Sequence, residues 1–172
     1  MQTKLMKLNR SAWYWAGLAL SGLLVLGVAL YFQYVRDEWP CVLCIHARIW
    51  VLGVSLVAVL GLIVRRHLLL NTLAHGLVMV MALGLLDRSR LLLGTERGTV
   101  FGDCSMDSGL PPWFALDKWF PQVFEVQASC GYTPELWPGL TMAEGLLGIA
   151  VILIIVSALQ LLLAGLRWRQ HG

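Results

Sequence analysis

Charge is what this sequence has least of. Only 13% of its 172 residues are Asp, Glu, Lys or Arg, against 58% hydrophobic residues. A soluble domain carries roughly 25% charged residues, so the shortage excludes an ordinary water-exposed surface and points to lipid as the solvent. A net charge of +3 is too modest to suggest nucleic acid, and no nucleic-acid partner is expected. Cysteine is also scarce. Four cysteines are too few to staple a disulfide mini-protein, so they need a reason other than holding the fold. A cleavage site is missing as well. Lys4, Lys7 and Arg10 resemble the basic start of a signal peptide. The apolar run after them is too long for one, and no small-x-small site clearly follows. That run is read as a retained span.

What the chain does have is long apolar stretches. A helix needs about 20 apolar residues to cross a bilayer. Four stretches qualify, at about 11–35, 44–64, 68–86 and 142–166. The third fades through Asp87, Arg88 and Arg90. The expected fold is all-α: a single four-helix membrane domain over residues 1–172. Three regions contain Lys and Arg but no Asp or Glu: the N-tail, the link at Arg65, Arg66 and His67, and the C-tail with Arg167 and Arg169. The positive-inside rule assigns all three to the cytoplasm. A short loop at about 36–40 and a long one at about 93–141 then face outward. A loop that long in a compact protein is usually functional.

The long loop has its own pattern. Trp113, Phe114, Leu116, Trp119, Phe120, Val123 and Phe124 recur at spacings of three and four after Pro111 and Pro112. This predicts a short helix lying in the membrane–water interface. A small folded cap packed by the same aromatics is the alternative.

All four cysteines fall on the outward side. Cys41 and Cys44 form Pro-Cys-Val-Leu-Cys at the mouth of the second span, and Cys104 and Cys130 lie in the long loop. The simplest pairing joins each pair within its own segment. A Cys-x-x-Cys at a helix start can cycle between dithiol and disulfide, and the helix dipole favours its thiolate. Arg48 follows Cys44 by four residues, on the same helical face one turn deeper. An arginine inside a span is costly and marks a functional site by default. Other readings stay open here: two purely structural disulfides, a zinc site using His46, and an Arg48 that only snorkels to the interface. His75, Glu144, Arg88 and Arg90 are read as packing, capping or anchoring residues.

With these residues in view, the chain resembles the DsbB family of bacterial disulfide-generating membrane oxidoreductases. The resemblance rests on WPCVLCIHARIW at Trp39–Trp50, LDKWFPQVF at Leu116–Phe124, Cys104, Cys130, and GLTMAEGLLGI at Gly139–Ile149. It covers nearly the whole chain. It implies that Cys104 and Cys130 exchange with a periplasmic DsbA-like thiol oxidase, and that Cys41 and Cys44 pass electrons to ubiquinone or menaquinone. It further implies that Arg48 and Met142 lie beside the quinone with Cys44, that no metal is used, and that the protein sits in the bacterial inner membrane with both termini cytoplasmic. The sequence departs from a familiar member at Ala47 and Leu91, where that member has an acid and a histidine. Two rivals differ in class. A vitamin-K-epoxide-reductase-like enzyme is expected to carry its Cys-x-x-Cys late in the bundle. A non-enzymatic tetraspan protein would use disulfides only to brace a partner-binding loop.

Overall fold

The computed structural model describes residues 10–100 and 105–171, with only the helical backbone described at 167–171. Four long helices dominate: α1 (Ala12–Val35), α2 (Val42–Val64), α3 (Leu68–Glu96) and, after two short loop helices, α6 (Met142–His171). Each is long and apolar enough to span a membrane. Helices satisfy every backbone N–H and C=O within the segment, which lipid requires. Leucines and isoleucines such as Leu24, Ile63, Ile155 and Leu162 point outward, as a lipid-facing surface demands.

α2 packs against α1 and α3, and α3 packs against α6. Close approach comes from small residues. A Cβ on Gly61 would run into the Trp15 ring, and one on Gly84 into the Trp50 ring. Between helices in lipid, such contacts and hydrogen bonds replace the hydrophobic drive. At one end of the bundle, buried Trp15 donates from Nε1 to Asn71 Oδ1 (3.2 Å) and stacks on His75 at 4.5 Å. His75 is thus a packing residue of the α1–α3 contact. Arg10 and Arg65 bond each other's backbone at this same end. Cys41, which begins α2, lies at the other.

The third span differs from expectation. α3 continues to Glu96, past the fading point at Asp87. At about 1.5 Å per residue its 29 residues reach roughly 43 Å, more than the ~30 Å hydrocarbon core. The last turns therefore project beyond it. Hydropathy marked where lipid ends, not where the helix ends. Leu92 stays buried there, in a cluster with Cys41, Leu43, Phe124 and Ala143.

The loop helix is also not continuous. A short turn at Pro112–Phe114 is followed by α4 (Leu116–Trp119) and α5 (Pro121–Phe124). Phe120 separates them at φ −136° and ψ 64°, because a residue preceding proline disfavours the helical region. The aromatic set divides accordingly. Leu116 and Phe124 are buried, while Trp113, Trp119 and Phe120 are exposed, where ring side chains suit an interface. Farther on, β1 (Glu135–Trp137) and β2 (Leu140–Thr141) pair antiparallel around Gly139, whose φ of 84° lies in the left-handed region. Thr141 and Glu144 then form a reciprocal capping box at the start of α6 (Glu144 N–H to Thr141 Oγ1, 3.3 Å; Thr141 N–H to Glu144 Oε2, 3.2 Å), as a Thr-x-x-Glu sequence allows.

Candidate redox site

The site grows from the start of α2. Pro40 precedes Cys41, which caps the helix: its Sγ accepts from the Cys44 N–H at 3.4 Å. A side chain at this position normally meets one of the unpaired first-turn amides, and here a sulfur does so. The same geometry brings the Cys41 and Cys44 sulfurs to 2.8 Å. Cys41 is buried and Cys44 half-buried. The hydrogen bond with Cys44, and then burial, push the Cys41 thiol well above its ordinary pKa.

The loop arm arrives from the side. Gln127 and Ala128 both donate their N–H to the Pro40 carbonyl (3.0 and 3.2 Å), and Ala128 pairs with Cys41 in a short parallel bridge. This carries Cys130 onto the Cys41 cluster and into hydrogen-bond contact with Cys41. Three cysteines therefore meet at one corner. Cys104 lies outside the described residues.

Arg48 sits one turn below Cys44, near enough for its charge to act on that sulfur. It is only 6% exposed, so it does not snorkel to water. Its Nη1 donates to Gln33 Oε1 (2.6 Å) and the Val123 carbonyl (2.7 Å), and its Nη2 to the Ala29 carbonyl (3.2 Å). All three acceptors are neutral. Among the described residues no carboxylate lies within ion-pair distance of it. A buried cation left without a counter-ion is expensive, which makes it a candidate for meeting a ligand.

An apolar cavity of about 300 Å³ adjoins these groups. Leu24, Val28 and Phe32 of α1 form one wall and Met142, Leu146 and Ile149 of α6 the other, with Cys44, Ala47 and Arg48 of α2 behind. Trp39, Tyr132 and Leu136 line it from the loops. Cys44, Arg48 and Met142 thus line one space. Leu91 lies elsewhere, packed against the buried cluster near the C-terminal end of α3. His46 points to another side of α2, where its Nε2 meets the Ser108 carbonyl at 2.8 Å. Ser108 Oγ in turn donates to Asp117 Oδ2 (2.9 Å). His46 is thereby a loop anchor, and among the described residues no group of three potential ligands could hold a metal ion.

Two residues escaped the sequence reading. Gln33, 5% exposed in α1, bonds both Arg48 and Gln127. A lone glutamine in an apolar run was the available signal, since polar groups in spans tend to face partners. Gln127 carried no signal of its own.

A family model described as "Disulfide bond formation protein DsbB" matches residues 11–160. Disulfide bond formation protein B 2 of Pseudomonas aeruginosa is 33% identical over 150 residues, covering 86% of this chain and 89% of the relative. Disulfide bond formation protein B of Photorhabdus laumondii is 33% identical over 159 residues, covering 90% of each. The Shewanella denitrificans protein of that name is 31% identical over 169 residues, covering 98% and 96%.

Proposed function

Since this chain belongs to the DsbB family of disulfide bond formation proteins, we propose that it oxidises a periplasmic DsbA-like dithiol and passes the electrons to ubiquinone or menaquinone. The observation that carries this reading is the shared wall of Cys44 and Arg48 on an apolar cavity between α1 and α6. A planar, lipid-soluble acceptor fits such a space. The walls are apolar, the volume reaches the lower range of small-molecule sites, and one cation without a counter-ion faces the sulfur.

The proposed steps combine the meeting of Cys41, Cys44 and Cys130 with the exchange rules for thiolates and disulfides. A partner thiolate attacks Cys104 in a Cys104–Cys130 disulfide, and Cys130 leaves as a thiolate. Cys130 attacks Cys41 in a Cys41–Cys44 disulfide, and Cys44 leaves toward Arg48. The partner's second thiol then resolves the mixed disulfide at Cys104 and departs oxidised. Cys104 attacks Cys130, restoring the loop disulfide and leaving Cys41 and Cys44 as a dithiol. Closing that dithiol releases two electrons and two protons, for which a bound quinone is the acceptor. The contact between Cys130 and Cys41 supports the second step. Arg48 supports the departure of Cys44 in that same step, because a positive charge stabilises a leaving thiolate.

Orientation belongs to the same proposal. The end of the bundle with Arg10, Arg65 and Arg66 faces the cytoplasm by the positive-inside rule, and the cysteines face the periplasm. Oxidising conditions there let the disulfides persist.

The test uses purified full-length protein in lipid, a reduced DsbA-like protein and ubiquinone-1. Loss of partner thiols should match quinol formation, two thiols per quinol. Thiol loss without quinol formation, or no turnover, refutes the proposal.

A further inference from the structure

Gln33 is a glutamine where the lipid-facing rest of α1 would favour leucine, and both ends of its amide are engaged. Oε1 accepts from Arg48 Nη1 at 2.6 Å, and Nε2 donates to Gln127 Oε1 at 3.3 Å. The opposite orientation of the amide would set its NH2 against the guanidinium, donor against donor. Arg48 therefore fixes which way Gln33 points, and Gln33 in turn presents a donor to the loop arm. Gln127, three positions before Cys130, holds the Pro40 carbonyl through its N–H together with Ala128. Arg48 also grips this arm directly through the Val123 carbonyl.

We propose that Gln33 is a positioning residue that links Arg48, on the cavity wall, to the arm that holds Cys130 against Cys41. One hydrogen-bonded chain then sets two geometries: the aim of the cation at the electron acceptor, and the reach of the shuttling thiol. Leucine or methionine would fill the same volume and serve neither. Glutamate would satisfy Arg48 and, with the Gln127 amide turned over, would still accept from its NH2. The first half of this role rests on the proposed quinone reading, and the second does not.

Two measurements separate the halves. The first is the apparent KM for ubiquinone-1, read against kcat, in the full-length protein. The second needs no quinone. In a Cys44→Ser, Cys104→Ser background, Cys41 and Cys130 are equilibrated with glutathione. Their two thiols lose two electrons and two protons to oxidised glutathione, giving one protein disulfide and two reduced glutathione molecules. The disulfide fraction reports the effective concentration of Cys130 at Cys41.

Gln33→Met should raise the KM about tenfold and lower the effective concentration about fivefold, as expected for losing one hydrogen bond to a charge and one between neutral groups. Gln127→Ala should lower the effective concentration by a similar factor and leave the quinone KM within about twofold of wild type. Gln33→Glu should stay near wild type in the glutathione measurement, because the Gln127 amide can turn to donate its NH2 to the carboxylate. Folded Gln33→Met with both values unchanged overturns the proposal. If Gln33→Met does not accumulate, Gln33→Leu and Gln127→Ala decide. Their effects must not add in the double variant, and additive effects overturn the link. A wild-type protein that ignores quinone defeats the proposed function instead, and the glutathione measurement still judges the link.

Discussion

The lip of α2 and the arm around Cys130 meet at Cys41 but are held by different forces. The lip belongs to a continuous helix, and Cys41, Val42, Leu43 and Ile45 are buried in the core cluster. The arm is rooted in the same cluster by Phe124 and Val126, and the rest of it is held by single hydrogen bonds: to the Pro40 carbonyl, to Gln33, to Arg48, and from Tyr34 to the Gln122 carbonyl at 2.6 Å. Each such bond contributes only about 1 kcal/mol net. Releasing the stretch beyond Val126 that carries Cys130 is therefore a local event, whereas displacing the lip means unpacking the bundle. A relay needs this asymmetry. In the proposed relay the pair beside the cavity would stay fixed, and Cys130, the thiol that must shuttle between Cys104 and Cys41, sits on the part that can let go.

Substitutions can break this contrast at either side. The largest effect is expected from Cys44→Ser, which should abolish quinol formation while the loop cysteines still exchange with a reduced partner; a mixed disulfide trapped on a gel reads this. If quinol formation survived, Cys44 would not be the residue that delivers electrons. Arg48→Ala comes next. It should lower kcat/KM for quinone by about a hundredfold, or about 2.7 kcal/mol, in the range of lost charge-assisted hydrogen bonds. Exchange at the loop should persist, and normal turnover at normal apparent affinity would remove Arg48 from the site. Gly61→Ala tests the opposite end of the bundle. Its Cβ would strike the fully buried Trp15 ring, so a loss of about 1–3 kcal/mol in stability is expected from overpacking. Activity per folded molecule should not change. An unfolding curve in detergent that matched wild type would show that the α1–α2 contact yields easily. Tyr34→Phe should have the smallest effect, loosening only the arm by about 1 kcal/mol. Faster alkylation of Cys130 by a water-soluble reagent, with unchanged alkylation of Cys41, is the signature. Equal acceleration at both would mean that lip and arm move together.

How far these features could be read from residues alone depended on range. The spans, the basic end and the Cys-x-x-Cys were visible because hydropathy, charge and spacing are local. The end of α3 was not, because Ser89, Leu92 and Gly94 are buried by loop and bundle contacts that no hydropathy window contains. The break at Phe120 was written in the following proline, yet the aromatic periodicity across it suggested one continuous helix. Gln33 looked like a stray polar residue, since its partners lie 15 and 94 positions away.

By itself, then, the sequence determined four lipid-crossing helices and put Cys41, Cys44 and Arg48 on one helical face, because lipid admits only self-satisfied backbone and helical geometry relates residues three and four apart. Tertiary structure alone decided that α1 and α6 flank α2 to leave a cavity at Cys44, and that residues 123–130 fold back to bring Cys130 to Cys41. Both depend on side chains far apart in the chain, whose meeting follows from helix packing and from where buried polar groups can find partners.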